Sequence, residues 1–130
     1  MSQTTVIACR TVEAAKRLLA AVGKLDGGFV DDNGTEARLR DGDCYLILSI
    51  MAGSLDEYRE WGEDGTISID VAERMSRCTG VYCQFNHPEL MRDVLRIGRD
   101  CFDFFDTGYA EVIEHDDVMA HLKSPSWTWV

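Results

Sequence analysis

The sequence predicts an α+β domain: a mostly antiparallel or mixed β-sheet with helices packed on its faces. Three observations carry that prediction. Short β-rich or alternating runs recur along the chain, Asn33-Gly34 punctuates two of them as a hairpin turn, and amphipathic stretches of helical period separate the others. The chain has 130 residues, enough for one domain and too few for two ordinary ones. At 45% hydrophobic and 28% charged it has the composition of a folded core, not of a disordered chain.

Thr4 to Ala8 is a short β-rich run. Thr11 is placed to cap a helix through Val22, with Val12, Ala15, Leu18, Leu19 and Val22 on one face and Gly23 as its stop. Phe29 to Asp32, the Asn33-Gly34 turn and Thr35 to Arg40 form a hairpin, because Asn-Gly tolerates positive φ. Asp41-Gly42-Asp43 turns the chain into Cys44 to Met51. That run is apolar at both parities, which predicts a central strand covered on both sides.

Ser54 and Glu57 have capping-box spacing ahead of a short helix, Leu55 to Trp61. After a turn from Gly62 to Thr66, Ile67 to Ile69 reads as a brief strand and Val71 to Arg77 as a helical turn or two. Val81 to Phe85 alternates as a strand. Pro88 suits a first helical turn, and the stripe Leu90, Met91, Val94, Leu95, Gly98, Cys101, Phe102, Phe105 predicts a helix to about Phe105, with Arg92, Asp93, Arg96 and Arg99 facing water. Tyr109 to Ile113 is the last strand. Asp116 or Asp117 caps a final helix through Leu122, and Pro125 breaks the chain before a tail in which Trp127 and Trp129 pack back on the domain or serve as a docking element. A long helix between two strands predicts a βαβ crossover.

Charge narrows the function. Lys and Arg number 13 against 23 Asp and Glu, a formal −10, which excludes a partner as anionic as nucleic acid or a membrane surface. Residues 26–73 hold thirteen acidic and three basic groups, and residues 100–130 hold seven and one. The first block contains Asp31, Asp32, Asp41 and Asp43 on the hairpins and Glu60, Glu63 and Asp64 around the short helix. Tyr58 and Trp61, three apart in that helix, share a face among these carboxylates. Aromatic anchors within a charged rim are the anatomy of a protein-binding hot spot. The competing reading is that Tyr58 or Trp61 packs the helix onto the sheet.

Five cysteines, an odd number, and no basic-apolar-small order in the first 23 residues predict reduced thiols and a cytoplasmic protein. No GxSxG, HExxH, CxxC or phosphate-cradling glycine loop occurs. The best metal candidate is Glu114-His115-Asp116-Asp117 with His121, and helix capping explains Asp116 and Asp117 equally well. His87 before Pro88 has no adjacent nucleophile and reads as a cap. The sequence therefore predicts no enzyme, no cofactor and no metal.

In size, α+β pattern, acidic hairpins and the Tyr58–Trp61 segment flanked by Glu57, Glu60, Glu63 and Asp64, the chain resembles the small acidic cytoplasmic immunity proteins of bacterial secreted-toxin systems. The resemblance covers the whole chain and rests on no specific motif, so it transfers no individual residue. It implies a non-catalytic inhibitor that blocks the basic active-site surface of a cognate toxin domain. Two alternatives stand beside it. One is an acidic secretion or assembly chaperone that dimerises through the Leu90–Phe105 helix. The other is a small-ligand or metal-binding enzyme using the Glu114–His121 region.

Overall fold

The computed structural model describes residues 2–127 and Trp129. The strands are β1 (Gln3–Cys9), β2 (Gly28–Val30), β3 (Glu36–Asp41), β4 (Cys44–Ile50), β5 (Thr79–Phe85), β6 (Phe102–Asp106) and β7 (Val112–Glu114). The helices are α1 (Val12–Gly23), α2 (Tyr58–Glu63), α3 (Ile69–Ser76), α4 (Pro88–Ile97) and α5 (His115–Leu122). The strands form one sheet in the order β2-β3-β4-β5-β1-β6-β7, and every neighbouring pair is antiparallel. This is the α+β domain expected, with helices on both faces. β1 is antiparallel to both β5 and β6, so those two strands run parallel and α4 is the predicted crossover between them.

One face carries α1, α4 and α5. Leu18, Leu19 and Val22 of α1, Met91, Val94 and Leu95 of α4 and Val118 of α5 close over Ile7, Leu46, Leu48, Val81, Cys83 and Phe85. The Thr11 hydroxyl accepts from the Ala14 amide at 3.0 Å, the cap that the sequence places there. The other face carries α2 and α3, where Leu55, Tyr58, Met75 and Cys78 bury Ala8 and Phe104.

Several boundaries differ from expectation. α4 stops at Ile97 instead of reaching Phe105, and Phe102 to Asp106 is the strand β6. Gly98 is the C-cap of α4, and its lack of a side chain lets the end of the helix pass against Leu18 of α1, where a Cβ would stand 2.2 Å from Leu18 Cδ1. Arg92 does not face water but is buried. Ser68 caps α3 through the Val71 amide, which replaces the brief strand at Ile67 to Ile69. The Ser54–Glu57 capping box does not form, because α2 begins three residues later, at Tyr58, without a side-chain cap. The last strand is Val112–Glu114 in place of Tyr109 to Ile113. Asn33 is not among the positive-φ residues. Gly34 takes that conformation, and the loop is braced by the Asp31 carboxylate, which accepts from the Thr35 and Glu36 amides. Trp127 and Trp129 pack against the core beneath α4 and α5, while Thr128 and Val130 of the tail lie outside the described residues.

All five cysteines are free thiols. Burial pushes Cys83 up to about 12 and Cys78 up to about 11, and pushes Cys9 higher still. Cys44 and Cys101 are only half-buried. Under native conditions a thiol reagent is expected to modify Cys44 and Cys101 first, and Cys9 and Cys83 on the order of 100-fold more slowly. Mass spectrometry of timed alkylation reads this out, and early labelling of Cys83 would contradict its place in the sheet.

Candidate functional site

Strand register defines a surface that composition alone does not reveal. Cross-strand partners share a face of the sheet. One row runs Phe29, Arg38, Ile47, Gln84, Thr4, and the next runs Glu36, Ser49, Tyr82, Val6, Asp106. Tyr45 lies opposite Arg40 in a third row. These rows are on the side of Ala8, the side that α2 and α3 cover over β1 and β6. Over β2, β3, β4 and the end of β5 no described residue forms a covering layer. Phe29 is 61% exposed and Tyr82 42%, while Tyr45, Ile47 and Val6 are half-buried. A sheet face turned to water ordinarily alternates to polar residues. Here the outward positions are mixed: Phe29, Tyr45, Ile47, Tyr82 and Val6 stand among Thr4, Glu36, Arg38, Arg40, Ser49 and Gln84. β4 is therefore apolar on both faces, as expected, but helices cover only one of them.

The predicted acidic residues do not form one ring around this face. Asp31 and Asp32 lie in the β2–β3 turn, at the end of the sheet where the Ile50 amide donates to the Thr35 carbonyl. Asp41 and Asp43 lie at the other end of β3, and Asp41 shares the side of Ala37 and Leu39, facing the α4 concavity and not this face. Glu60, Glu63 and Asp64 are exposed on α2 and its C-terminal cap, on the same side of the sheet. Two of these carboxylates also organise local backbone. Hydrogen bonds from the Glu36 amide, then from Thr35, hold Asp31 below the usual carboxylate range. The Thr66 hydroxyl and amide do the same for Asp64. Both stay charged at neutral pH and contribute to the field of the margin.

The aromatic pair is not the exposed anchor. Tyr58 is 2% exposed and its hydroxyl donates to Asp106 at 2.5 Å, so it fastens α2 to the sheet. Trp61 is half-buried against it, edge to face, with ring centroids 4.9 Å apart. The competing reading of these two residues, packing, is the one the structure displays. On this sheet face the exposed apolar residues are Phe29 and Tyr82, which sequence reasoning passed over; Val12, Ile69, Ile97 and Tyr109 are exposed elsewhere on the molecule. The available signal was the apolar residue at both parities of Cys44 to Met51.

No family model, curated protein or solved structure matches the chain. The reading therefore rests on surface chemistry. A concavity of about 800 Å³ lies between α4 and the β3–β4 turn and sets Arg40, Arg96 and Arg99 against Asp26, Asp41 and Asp93, a rim with no preferred sign. A second cleft of about 650 Å³ lies over β6 and β7. Its charged groups are largely engaged with each other: Arg10 with Asp103 at 3.2 Å, Arg74 with Glu114, and His115 between Asp116 (3.0 Å) and the Arg99 carbonyl (2.5 Å). His121 stacks on Trp127 at 5.0 Å. Among the described residues no three His, Cys, Asp or Glu converge to hold a metal ion. The His87 ring nitrogen accepts from the Glu89 amide and caps α4. No helix among the described residues is long and apolar enough to cross a membrane.

Proposed function

We propose that the protein is a non-catalytic, immunity-type inhibitor that binds a basic domain of a cognate toxin and covers its active site. One observation carries the reading: a sheet face without covering helices on which Phe29, Tyr45, Ile47 and Tyr82 stand among polar residues, with Asp31 and Asp32 at one end and Glu60, Glu63 and Asp64 exposed on α2 on the same side. Its centre supplies area that is shielded from water on binding, and its margin supplies a long-range negative field. A toxin that acts on nucleic acid or nucleotides presents the complementary positive surface, because its substrate is anionic.

The two parts predict different kinetic effects. Reversing Glu60, Glu63 and Asp64 to lysine together is expected to slow association about 10-fold or more at low salt and to flatten its salt dependence. Tyr82→Ala or Phe29→Ala is expected to raise the dissociation rate about 10-fold with association nearly unchanged. Surface plasmon resonance against the toxin-like product of a neighbouring gene measures both. Parent-like kinetics in all three variants, or turnover of a metabolite by the isolated protein, would sink the proposal.

A dimeric chaperone would need a different surface from the one expected of it. Leu90, Met91, Val94 and Leu95 of α4 are spent in the core. Native mass decides the matter: a stable homodimer that buries Tyr82 favours the chaperone over the inhibitor.

A further inference from the structure

We propose that Cys9 and Cys101 are a redox-active dithiol, which a small disulfide such as oxidised glutathione converts to a cross-link fastening β1 to the start of β6. The pair lies on the α1 side of the sheet, away from the face assigned to a protein partner, and does not depend on that assignment.

The topology gathers cysteines that are distant in sequence. Cys9 is the last residue of β1, and its antiparallel partners are Thr79 of β5 and Phe102 of β6. Cys78 and Cys101 immediately precede those two partners. Three thiol-bearing residues therefore meet at one end of three adjacent strands. Antiparallel partners have Cα atoms about 4.5–5.5 Å apart, and a disulfide spans Cα separations of about 4.4–6.8 Å, so a residue next to a partner comes within bridging range. The β1–β6 register also shifts between Ala8 and Cys9, which sets the end of β1 closer to the turn that carries Cys101.

The sheet itself selects between the two neighbours of Cys9. Cys9 and Cys101 pack in the core cluster beneath α1 and α4, whereas Cys78 belongs to the cluster beneath α2 and α3. The sheet backbone thus stands between Cys9 and Cys78, and Cys101 shares the side of Cys9. The electrostatics agree: after burial, the neighbour that raises the Cys9 thiol most is Cys101, ahead of Cys83 and Cys78. Cys83 lies in the middle of β5 opposite Thr5, and Cys44 begins β4, which is not a neighbour of β1.

Access sets the order of events. Cys9 is fully buried, so an external reagent meets Cys101 first, in the turn where its amide donates to the Gly98 carbonyl at 2.8 Å. Burial raises the Cys101 thiol, and the Arg17 guanidinium on α1 opposes that by favouring the thiolate. The Cys101 thiolate attacks one sulfur of the small disulfide. A protein–glutathione S–S bond forms, the original S–S bond breaks, and one glutathione thiolate leaves and takes up the proton that Cys101 released. The Cys9 sulfur then attacks Cys101, and its proton passes to the second departing glutathione. Two protein thiols are oxidised and one small disulfide is reduced to two thiols.

Incubation of the intact protein with oxidised glutathione, followed by non-reducing peptide mapping, tests the pair. The peptide containing Cys9 is expected to be joined to that containing Cys101. The melting temperature should rise by about 10 °C, because the link closes a loop spanning most of the domain, and dithiothreitol should reverse the rise. Cys9→Ser is expected to stop at glutathione on Cys101, Cys101→Ser to take up neither adduct there nor a link to Cys9, and Cys78→Ser to cross-link like the parent. The parent's own peptide map decides the matter even where a serine variant fails to fold. Glutathione that persists on Cys101 of the parent, a Cys9–Cys78 link, links only between chains, or no oxidation of the folded protein would overturn the proposal. So would a Cys9–Cys101 link that lowers the melting temperature, since it would show that the native fold holds the two thiols apart.

Discussion

Replacing Arg92 with leucine is expected to remove about 3 kcal/mol of stability and to lower the melting temperature by roughly 10 °C. Arg92 is 1% exposed, in the middle of α4. Its guanidinium donates to the carbonyls of Leu122 (3.3 Å), Ser124 (3.0 Å) and Trp127. The nearest carboxylate, Glu89, is 3.9 Å from Nε. The charge is therefore met mainly by carbonyl dipoles around the C-terminus of α5, the negative end of that helix. These bonds hold the tail so that Trp129 packs edge-on against Phe85 and Phe105, with centroids 6.2 and 5.1 Å away. Leucine fills part of the volume but removes three hydrogen bonds, at about 1 kcal/mol each; the Leu122 carbonyl keeps Arg96 and the Ser124 carbonyl keeps the Trp127 amide, while the Trp127 carbonyl loses its donor. Arg92→Lys should recover only part of the loss, because an ammonium lacks the planar fork that spans three acceptors. Denaturant unfolding followed by tryptophan fluorescence measures all three proteins. Parental stability in the leucine variant would show that the tail is held by something other than this guanidinium.

Tyr58→Ala should cost about 3–5 kcal/mol, the usual loss for a buried aromatic ring. Tyr58→Phe isolates the hydroxyl and should cost about 1–2 kcal/mol, because the 6%-exposed Asp106 keeps only the Gly108 amide as a donor, at 2.9 Å. The pair also predicts an alkaline signature. Burial first, and then the Asp106 carboxylate, push the Tyr58 phenol well above its ordinary value of 10.0. Above that pH the unfolded chain releases a proton that the folded chain keeps. Stability from this group is thus complete below about pH 10 and falls as pH rises further. Comparing the parent with Tyr58→Phe between pH 8 and pH 11 separates this contribution from other groups, and the parent should show the steeper decline. Identical slopes would place the hydroxyl in contact with water.

The elements that the sequence predicted well are those whose signals are local. Thr11 and the apolar spacing through Val22 define α1, and the alternation of Val81 to Phe85 defines β5, because caps and strand period are written within a few residues. Residues 98–106 were misjudged because Cys101, Phe102 and Phe105 continue the helical stripe of Leu90 to Leu95. That stripe also fits a strand rich in phenylalanine, and the glycine at position 98, where α4 is capped, was the local sign that the helix stops. Arg92 looked solvent-facing because its three acceptors lie thirty or more residues away. The acidic margin was legible as a count of charges. The apolar face was not, since the apolar second side of β4 implies cover, and which half of the sheet α2 and α3 occupy is a tertiary fact. Tyr58 and Trp61 were legible as a pair, but spacing alone does not say whether a helical face looks inward or outward.

The position of β1 bears on how the chain is made. Its seven residues precede every other strand of the domain in the chain, yet they sit between β5 and β6, with Gln3 opposite Phe85 and Val6 opposite Asp106. The central seam of the sheet therefore cannot close until residue 106 has been synthesised and has left the exit tunnel. One edge of β1 can pair once β5 has emerged, the other waits for β6, and closure of a loop of about a hundred residues makes that last step slow compared with helix formation. Protection of that nascent strand, by a chaperone or by the α1 helix folding back on it, is a requirement imposed by topology.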